Sequence, residues 1–407
     1  MLERGATVAA VAAVSTFNLG AGLLLPAETL GQALQWQAVF LIIGTLLTCR
    51  TYDLVFFLRA NHGLTLETAY RAALGIEALL ALTIAVLAGI WAQNHALWPG
   101  GITPEWLFAG LATATTAFQG ASQGYFRAQA RPGYIIAALL VSTAGYGFGC
   151  LWLAWARPDA QSFLSVSLGL MAVRPLTLMA FAALIGQKPD AAAPAPDTTS
   201  RNTSMPWRAV ALFLLKGQTL NAVKNNLLNV ETLILGALAG STTVAVYRVI
   251  RSLNNLLVVL LNIEYQKAFA ALSLASKRGE ELRSVMGAIR RRCLTLWLQG
   301  MPLVIASALV FAAVNPDPVY TFSPGLLVIA GLAILPVAWQ QANFAYLSLK
   351  GDFVVMTIAY LAGMVALVAV AVVWPWQMSA TAFFALSCIS AVIVSATMHW
   401  LVVRSRS

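Results

Sequence analysis

Long apolar runs without alternation constrain this chain more than any other feature. Twelve such stretches lie near 5–25, 33–57, 69–93, 104–126, 133–156, 162–186, 208–238, 243–272, 292–314, 323–349, 352–374 and 377–402. A helical membrane span needs about 20 apolar residues. A membrane barrel would instead show segments of about ten residues with alternating polarity. Only a helix or a closed barrel satisfies its own backbone in hydrocarbon. The expected fold is therefore an all-α polytopic membrane protein with about 12 transmembrane helices. Composition agrees: of 407 residues, 59% are hydrophobic and only 10% are charged, against about 25% charged in soluble proteins. A water-soluble enzyme and a disordered chain are both excluded.

The formal net charge of +10 raises nucleic acid as a partner, but the distribution of charge argues for topology instead. Nineteen of the 25 Lys and Arg fall on one side of a twelve-span arrangement, including Lys277, Arg278, Arg283, Arg290, Arg291 and Arg292; Arg157 alone falls on the other. Basic loops stay in the cytoplasm, so both termini are expected there and no nucleic-acid partner is. Interfacial tryptophans fit the same frame, with Trp91, Trp98, Trp106, Trp155, Trp374 and Trp376 near outer helix ends and Trp207 and Trp400 near inner ones. Met1–Ala27 loosely mimics a secretory signal, but its apolar run is too long and is broken by Thr16 and Asn18. It reads as the first span.

Residues 187–206 are rich in Pro, Ala, Ser and Thr and read as a cytoplasmic linker. They divide the chain into a six-helix lobe at 1–186 and another at 207–407. Asn202-Thr203-Ser204 matches a glycosylation sequon, which is empty on the cytoplasmic side. The halves are weakly alike: the turn Phe126–Gly133 corresponds to Leu349–Asp352, and the repeat is parallel. Two such lobes are expected to enclose a central cavity.

Several motifs read as packing or are absent. Cys49, Cys150, Cys293 and Cys388 are scattered in apolar stretches, and His62, His95 and His399 are isolated, so no disulfide set, metal site or cofactor is expected. Gly120xxxGly124, Gly145xxxGly149 and Gly236xxxGly240 read as close helix packing. The chain lacks a phosphate-binding GxxxxGK[ST] loop, HExxH and GxSxG, and it has no large external loop for an enzyme site.

Ionisable residues inside spans carry the functional reading, because each costs about 2.5–3.5 kcal/mol at the bilayer centre. Five are basic (Arg174, Lys216, Lys224, Arg248, Arg251) and three acidic (Glu77, Glu231, Glu264). On the seventh span, Lys216, Lys224 and Glu231 lie within about 80° of one another, with Asn221 and Asn225 nearby. On the eighth, Arg248, Arg251, Ser252, Asn255 and Asn262 form one stripe. Two readings stand side by side. In one, Glu231 neutralises Lys224 or Arg248, Arg174 pairs with Glu77, and Lys216 and Glu264 snorkel. In the other, the surplus of positive charge lines a wet cavity for an anion. Phosphate is the natural ligand, since Arg binds it bidentately and Lys as a point charge.

The segment from Glu231 through Gly236 and Gly240 to Tyr247, Arg248 and Arg251 resembles the pattern of Wzx-type polysaccharide flippases. That pattern is an acidic residue, a short apolar run, Gly, a turn, Tyr and the next helix. Leu25–Gly31 resembles the family's first turn, and Lys277–Arg283 its basic loop after the eighth helix. The family departs from this chain in more often carrying Asp at the acidic position of the seventh helix. The resemblance implies the multidrug/oligosaccharidyl-lipid/polysaccharide exporter (MOP) superfamily and a bacterial inner-membrane location. It also implies a non-enzymatic flippase for an undecaprenyl-diphosphate-linked oligosaccharide (an O-antigen, exopolysaccharide or capsule repeat unit), acting with glycosyltransferases and a glycan polymerase of the same pathway. A diphosphate-sugar headgroup cannot shed its water in hydrocarbon unaided. Lys216, Lys224, Arg248, Arg251 and Arg174 are the expected diphosphate ligands. Asn221, Asn225, Ser252, Asn255 and Asn262 are expected to bond sugar hydroxyls, with Glu231 or Glu77 carrying a coupling proton. The alternatives are a cation-coupled drug antiporter of the same superfamily, which would want an acidic cavity, and a membrane glycan polymerase or ligase.

Overall fold

The computed structural model describes residues 2–48, 51–62, 64–94, 103–185, 205, 207–278, 281–350, 352–373 and 378–404. The linker at 187–206 lies outside the described residues, except Met205. All regular elements among the described residues are helical: α1 (Leu2–Leu24), α2 (Ala27–Leu47), α3 (Thr51–His62), α4 (Leu66–Asn94), α5 (Pro104–Thr115), α6 (Gln119–Ala128), α7 (Pro132–Ala156), α8 (Ala160–Ile185), α9 (Trp207–Lys277), α10 (Leu282–Val314), α11 (Pro324–Leu332), α12 (Leu335–Lys350), α13 (Phe353–Val373) and α14 (Ala380–Arg404). Ten helical segments among them are long and apolar enough to cross a membrane. The chain is a multi-pass helical membrane protein.

One of those ten is 70 residues long and is not straight. Gly240, at φ 81° and ψ 172°, interrupts α9. On a straight helix, residues 231 and 251 would stand about 30 Å apart, yet their side chains touch. The chain therefore folds back at Gly240, and 207–239 and 241–277 are two antiparallel arms. The predicted seventh and eighth spans are these arms. Gly240 departs from its packing assignment, because a Cβ there would meet nothing within 4 Å; its glycine is required by a backbone conformation essentially restricted to that residue.

Two predicted spans are broken rather than continuous. The second corresponds to α2 and α3, whose junction at 49–50 lies outside the described residues. The fourth becomes α5, a 3-10 turn at Thr116–Phe118, and α6. There the hydroxyls of Thr115 and Thr116 bond back to the carbonyls of Ala112 and Thr113, each at 2.6 Å, and compete with the helix ladder. The tenth breaks between α11 and α12, where Pro336 supplies no N–H and crowds the carbonyl four residues earlier. In addition, α10 begins ten residues before the predicted 292, so Arg290, Arg291 and Arg292 are helical.

The chain forms two compact units. The first comprises 1–10, 40–146 and 164–222. Its core joins Leu54, Val55 and Leu58 of α3 to Ala69 and Ala73 of α4 and Ala121 of α6. A second cluster links Tyr125 and Phe126 to Ile135, Leu139 and Leu178. Gly120 admits α3 here: a Cβ on it would lie 2.0 Å from Thr51 Oγ1 and 2.9 Å from the Tyr52 nitrogen. The small-residue motif beginning at Gly120 is a packing device, as the sequence predicts.

The second unit comprises 11–39, 147–163 and 223–407. Within it α12 packs on α10, α13 and α14. Its buried residues include the polar Gln340, Gln341 and Asn343. Leu257 and Leu261 of the second α9 arm close the core with Cys293, Ile334 and Ala338. The α1–α2 turn is held by the segment after α10. Asn315 Nδ2 donates to the Gly22 carbonyl at 2.8 Å, and the Ala27 N–H donates to Asp317 Oδ2 at 3.3 Å.

Candidate functional site

The fold-back at Gly240 brings the polar faces of the two α9 arms together. Glu231 is 1% exposed. Its Oε2 accepts from Arg251 Nη2 at 2.8 Å and from the Tyr247 hydroxyl; its Oε1 accepts from the Ser387 hydroxyl of α14. Arg251 Nε donates to Tyr247 Oη at 2.9 Å. Phe383 and Phe384 pack on the Tyr247 ring, with centroids 5.3 and 4.6 Å away. Every group in this knot is satisfied. The sequence offered Lys224 or Arg248 as the partner of Glu231; the partner is Arg251, one helical turn beyond Arg248. Arg251 and Glu231 thus form a buried pair, whose loss on one side leaves an uncompensated charge.

Arg248 remains outside that pair. Its Nη1 is buried and has no hydrogen-bond partner among the described residues. Such an orphan donor is costly unless something answers it. Lys224 stands on the other α9 arm, its Nζ 4.2 Å from the centroid of Phe344. It lines a small cavity of about 130 Å³ together with Asn262, Tyr265, Gln340, Gln341 and Tyr360. An ammonium, three amides and two phenols around one space offer donors and acceptors to a polyhydroxylated or anionic group.

The other predicted residues are distributed as follows. Ser252 is buried, Asn255 half-buried, and Asn225 and Asn262 exposed. Arg174 and Asn221 belong to the first unit. The side chain of Lys216 lies outside the described residues. Glu264 does not snorkel: it pairs with Lys267 and, at 2.8 Å, with Arg292. Cys49 and His95 lie outside the described residues, and no three His, Cys, Asp or Glu converge among those described.

Glu77 of the first unit does not pair with Arg174. It is fully buried. Its Oε1 accepts from the Thr51 hydroxyl and, at 2.7 Å, from the Ala121 N–H. Its Oε2 has no partner among the described residues. A carboxyl group with no ion-pair partner among the described residues sits at the crossing of α3, α4 and α6.

The sequence reading missed Ser387, which completes the Glu231 knot, and the α12 face of Gln340, Gln341 and Phe344. The signal was present: Gln340-Gln341-Ala342-Asn343 is a polar run inside an apolar span.

No family model matches this sequence, and no curated protein matches it. Solved structures do. An inward-facing multidrug resistance MATE family transporter of the MOP superfamily aligns with TM-score 0.68 at 12% identity, covering 97% of this chain and 94% of that one. The lipid II flippase MurJ, in an inward closed conformation, aligns with TM-score 0.70 at 10% identity, covering 98% and 87%. A MOP superfamily transporter from Pyrococcus furiosus aligns with TM-score 0.59 at 13% identity, covering 99% and 95%. Identities this low speak to architecture, and on that ground the chain has the two-lobed helical fold of the MOP-superfamily transporters.

Proposed function

We propose that this chain is a flippase. Its cargo is an undecaprenyl-diphosphate-linked oligosaccharide, moved across the bacterial inner membrane by alternating access with both termini cytoplasmic. One observation carries the reading. With Glu231 committed to Arg251, Arg248 keeps a buried guanidinium nitrogen with no hydrogen-bond partner among the described residues. A diphosphate supplies the missing acceptor and charge. The amide- and phenol-lined cavity beside Lys224 supports the same reading, as a place where a sugar's hydroxyls find partners. The likeness to a lipid II flippase adds a precedent for the cargo class on this architecture. Arg251 is thereby reassigned from ligand to anchor of the site. Glu77 is the proposed proton carrier ahead of Glu231, because among the described residues no cation pairs with it while Arg251 pairs with Glu231.

The test is the leaflet location of the lipid-linked glycan in a deletion strain, read with a membrane-impermeant probe on spheroplasts. Stranding inside, reversed by the wild-type gene and not by Arg248→Gln, supports the reading. Normal exposure outside in the deletion strain, with no redundant exporter, retires it.

The MATE likeness favours one competitor, a drug antiporter. Drug resistance on overexpression, with unchanged glycan display, would select it. Against it stands the basic rather than acidic character of Arg248 and Lys224.

A further inference from the structure

Two cavities in the second unit use none of the residues assigned to the proposed transport site, and they meet at one side chain. The first, about 600 Å³, is apolar and lies over α12 between α10 and α14, lined by Leu294, Leu335, Pro336, Trp339, Val392 and Ala396 with His399 at its end. The second, about 640 Å³, continues from His399 along α10 and α14 and is lined by Arg283, Met286, Gly287 and Arg290. Among the described residues no carboxylate lines either cavity. Trp339 and Val392 are exposed at 40% and 49%, so the apolar part is an open groove rather than a closed void.

The basic end is built. Arg290 Nη2 donates to Asn343 Oδ1 at 2.6 Å and lies 3.2 Å from His399 Nδ1. A guanidinium offers only donors, so Nδ1 accepts, which leaves the proton of the neutral ring on Nε2. The Arg290 guanidinium also lies 5.1 Å from the centroid of the Trp339 ring. The same tryptophan therefore walls the apolar groove and seats the cation at its mouth. Arg283 stands two helical turns earlier on α10, exposed.

We infer that this groove binds an anionic glycerophospholipid, its phosphate held by Arg283 and Arg290 and one acyl chain laid along Trp339, Leu335 and Val392. Charge complementarity selects the headgroup: basic pockets between membrane helices hold anionic lipid heads. The dimensions accommodate the lipid. From Arg283 to Leu294, and from Val392 to Val403, each helix rises about 16 Å. Head end included, that is roughly half of the ~30 Å hydrocarbon thickness, so a phosphate and the first stretch of one acyl chain fit along it within one leaflet. Nothing in this inference depends on the transported substrate.

The experiment is native mass spectrometry of the full-length, delipidated protein titrated with phosphatidylglycerol or phosphatidylethanolamine of identical acyl chains. The wild type should retain phosphatidylglycerol at least about fivefold more strongly, the preference expected from one basic residue near a lipid surface. Arg283→Gln, at an exposed helix position, should erase that preference. Ala396→Phe, which fills the groove, should weaken both lipids while leaving the preference intact. Equal retention of the two lipids by the wild type would overturn the inference. So would unchanged retention in both variants. Displacement of phosphatidylglycerol by an equimolar polyprenyl diphosphate would overturn it as well, by making the groove part of the transport path.

Discussion

Glu231 and Arg251 are 20 residues apart in a stretch of helix interrupted at Gly240, and Oε2 and Nη2 meet at 2.8 Å. Only a reversal between them allows it. The pair is thus both the evidence for the hairpin and the clamp that closes it, with Ser387 tying the clamp to α14. Removing Arg251 alone leaves a carboxylate buried without its cation. Arg251→Ala should destabilise the protein by about 3–5 kcal/mol and lower its amount in the membrane. Glu231→Leu combined with Arg251→Met should recover most of that loss. Thermal unfolding in detergent of the single and double variants measures the coupling.

Arg248→Gln should behave in the opposite way. Among the described residues Nη1 has no hydrogen-bond partner, so folding and abundance should stay near wild type while export falls. Loss of one charge-assisted hydrogen bond is worth about 1.5–3 kcal/mol, or roughly 10- to 100-fold in affinity. Quantified surface glycan at matched protein levels reads it. A variant with wild-type export would remove Arg248 from the substrate path.

Glu77→Gln preserves the acceptor for Thr51 and the Ala121 N–H and removes the ionisable group. The variant should fold, and its transport should no longer respond to the proton gradient in reconstituted vesicles. Transport that still follows the gradient would clear Glu77 of coupling. Gly120→Ala tests the neighbouring crossing: its Cβ would collide with Thr51 and the backbone of Tyr52, at a cost of about 1–3 kcal/mol, read as a lower melting temperature.

Gly240→Ala places a side chain on a backbone at φ 81° and ψ 172°. Such a conformation costs a residue with a Cβ about 1–3 kcal/mol. Because a Cβ there meets no neighbour, the loss reports backbone strain alone. A melting temperature equal to wild type would show that the turn adopts another conformation.

Much of the fold was legible from the chain. Most span positions follow from apolar length alone, and the near-exclusion of Lys and Arg from alternate loops is what leads the sequence to expect twelve. What the sequence withheld is where a span breaks internally. That depends on local competition, such as the threonine hydroxyls of 115 and 116 bonding to their own helix, which hydropathy does not register. The site was half legible. Periodicity put Arg248 and Arg251 on one stripe, but a helical stripe cannot say which of two arginines one turn apart will meet a glutamate on another arm. Ser387, far along the chain on α14, decides that geometry. Groove and mouth at α10 and α14 escaped the sequence because their residues lie on three helices far apart along the chain.

A single glycine also sets the parity of the molecule. The segment around Gly240 offers no polar loop to separate one crossing from the next, so a count that requires such a loop would fuse 207–239 with 241–277. Every later element would then be assigned to the opposite side of the membrane. The arginines after the hairpin would then break the one-sided charge pattern expected from the sequence. One residue with positive φ therefore decides whether 207–277 is read as one crossing or as two.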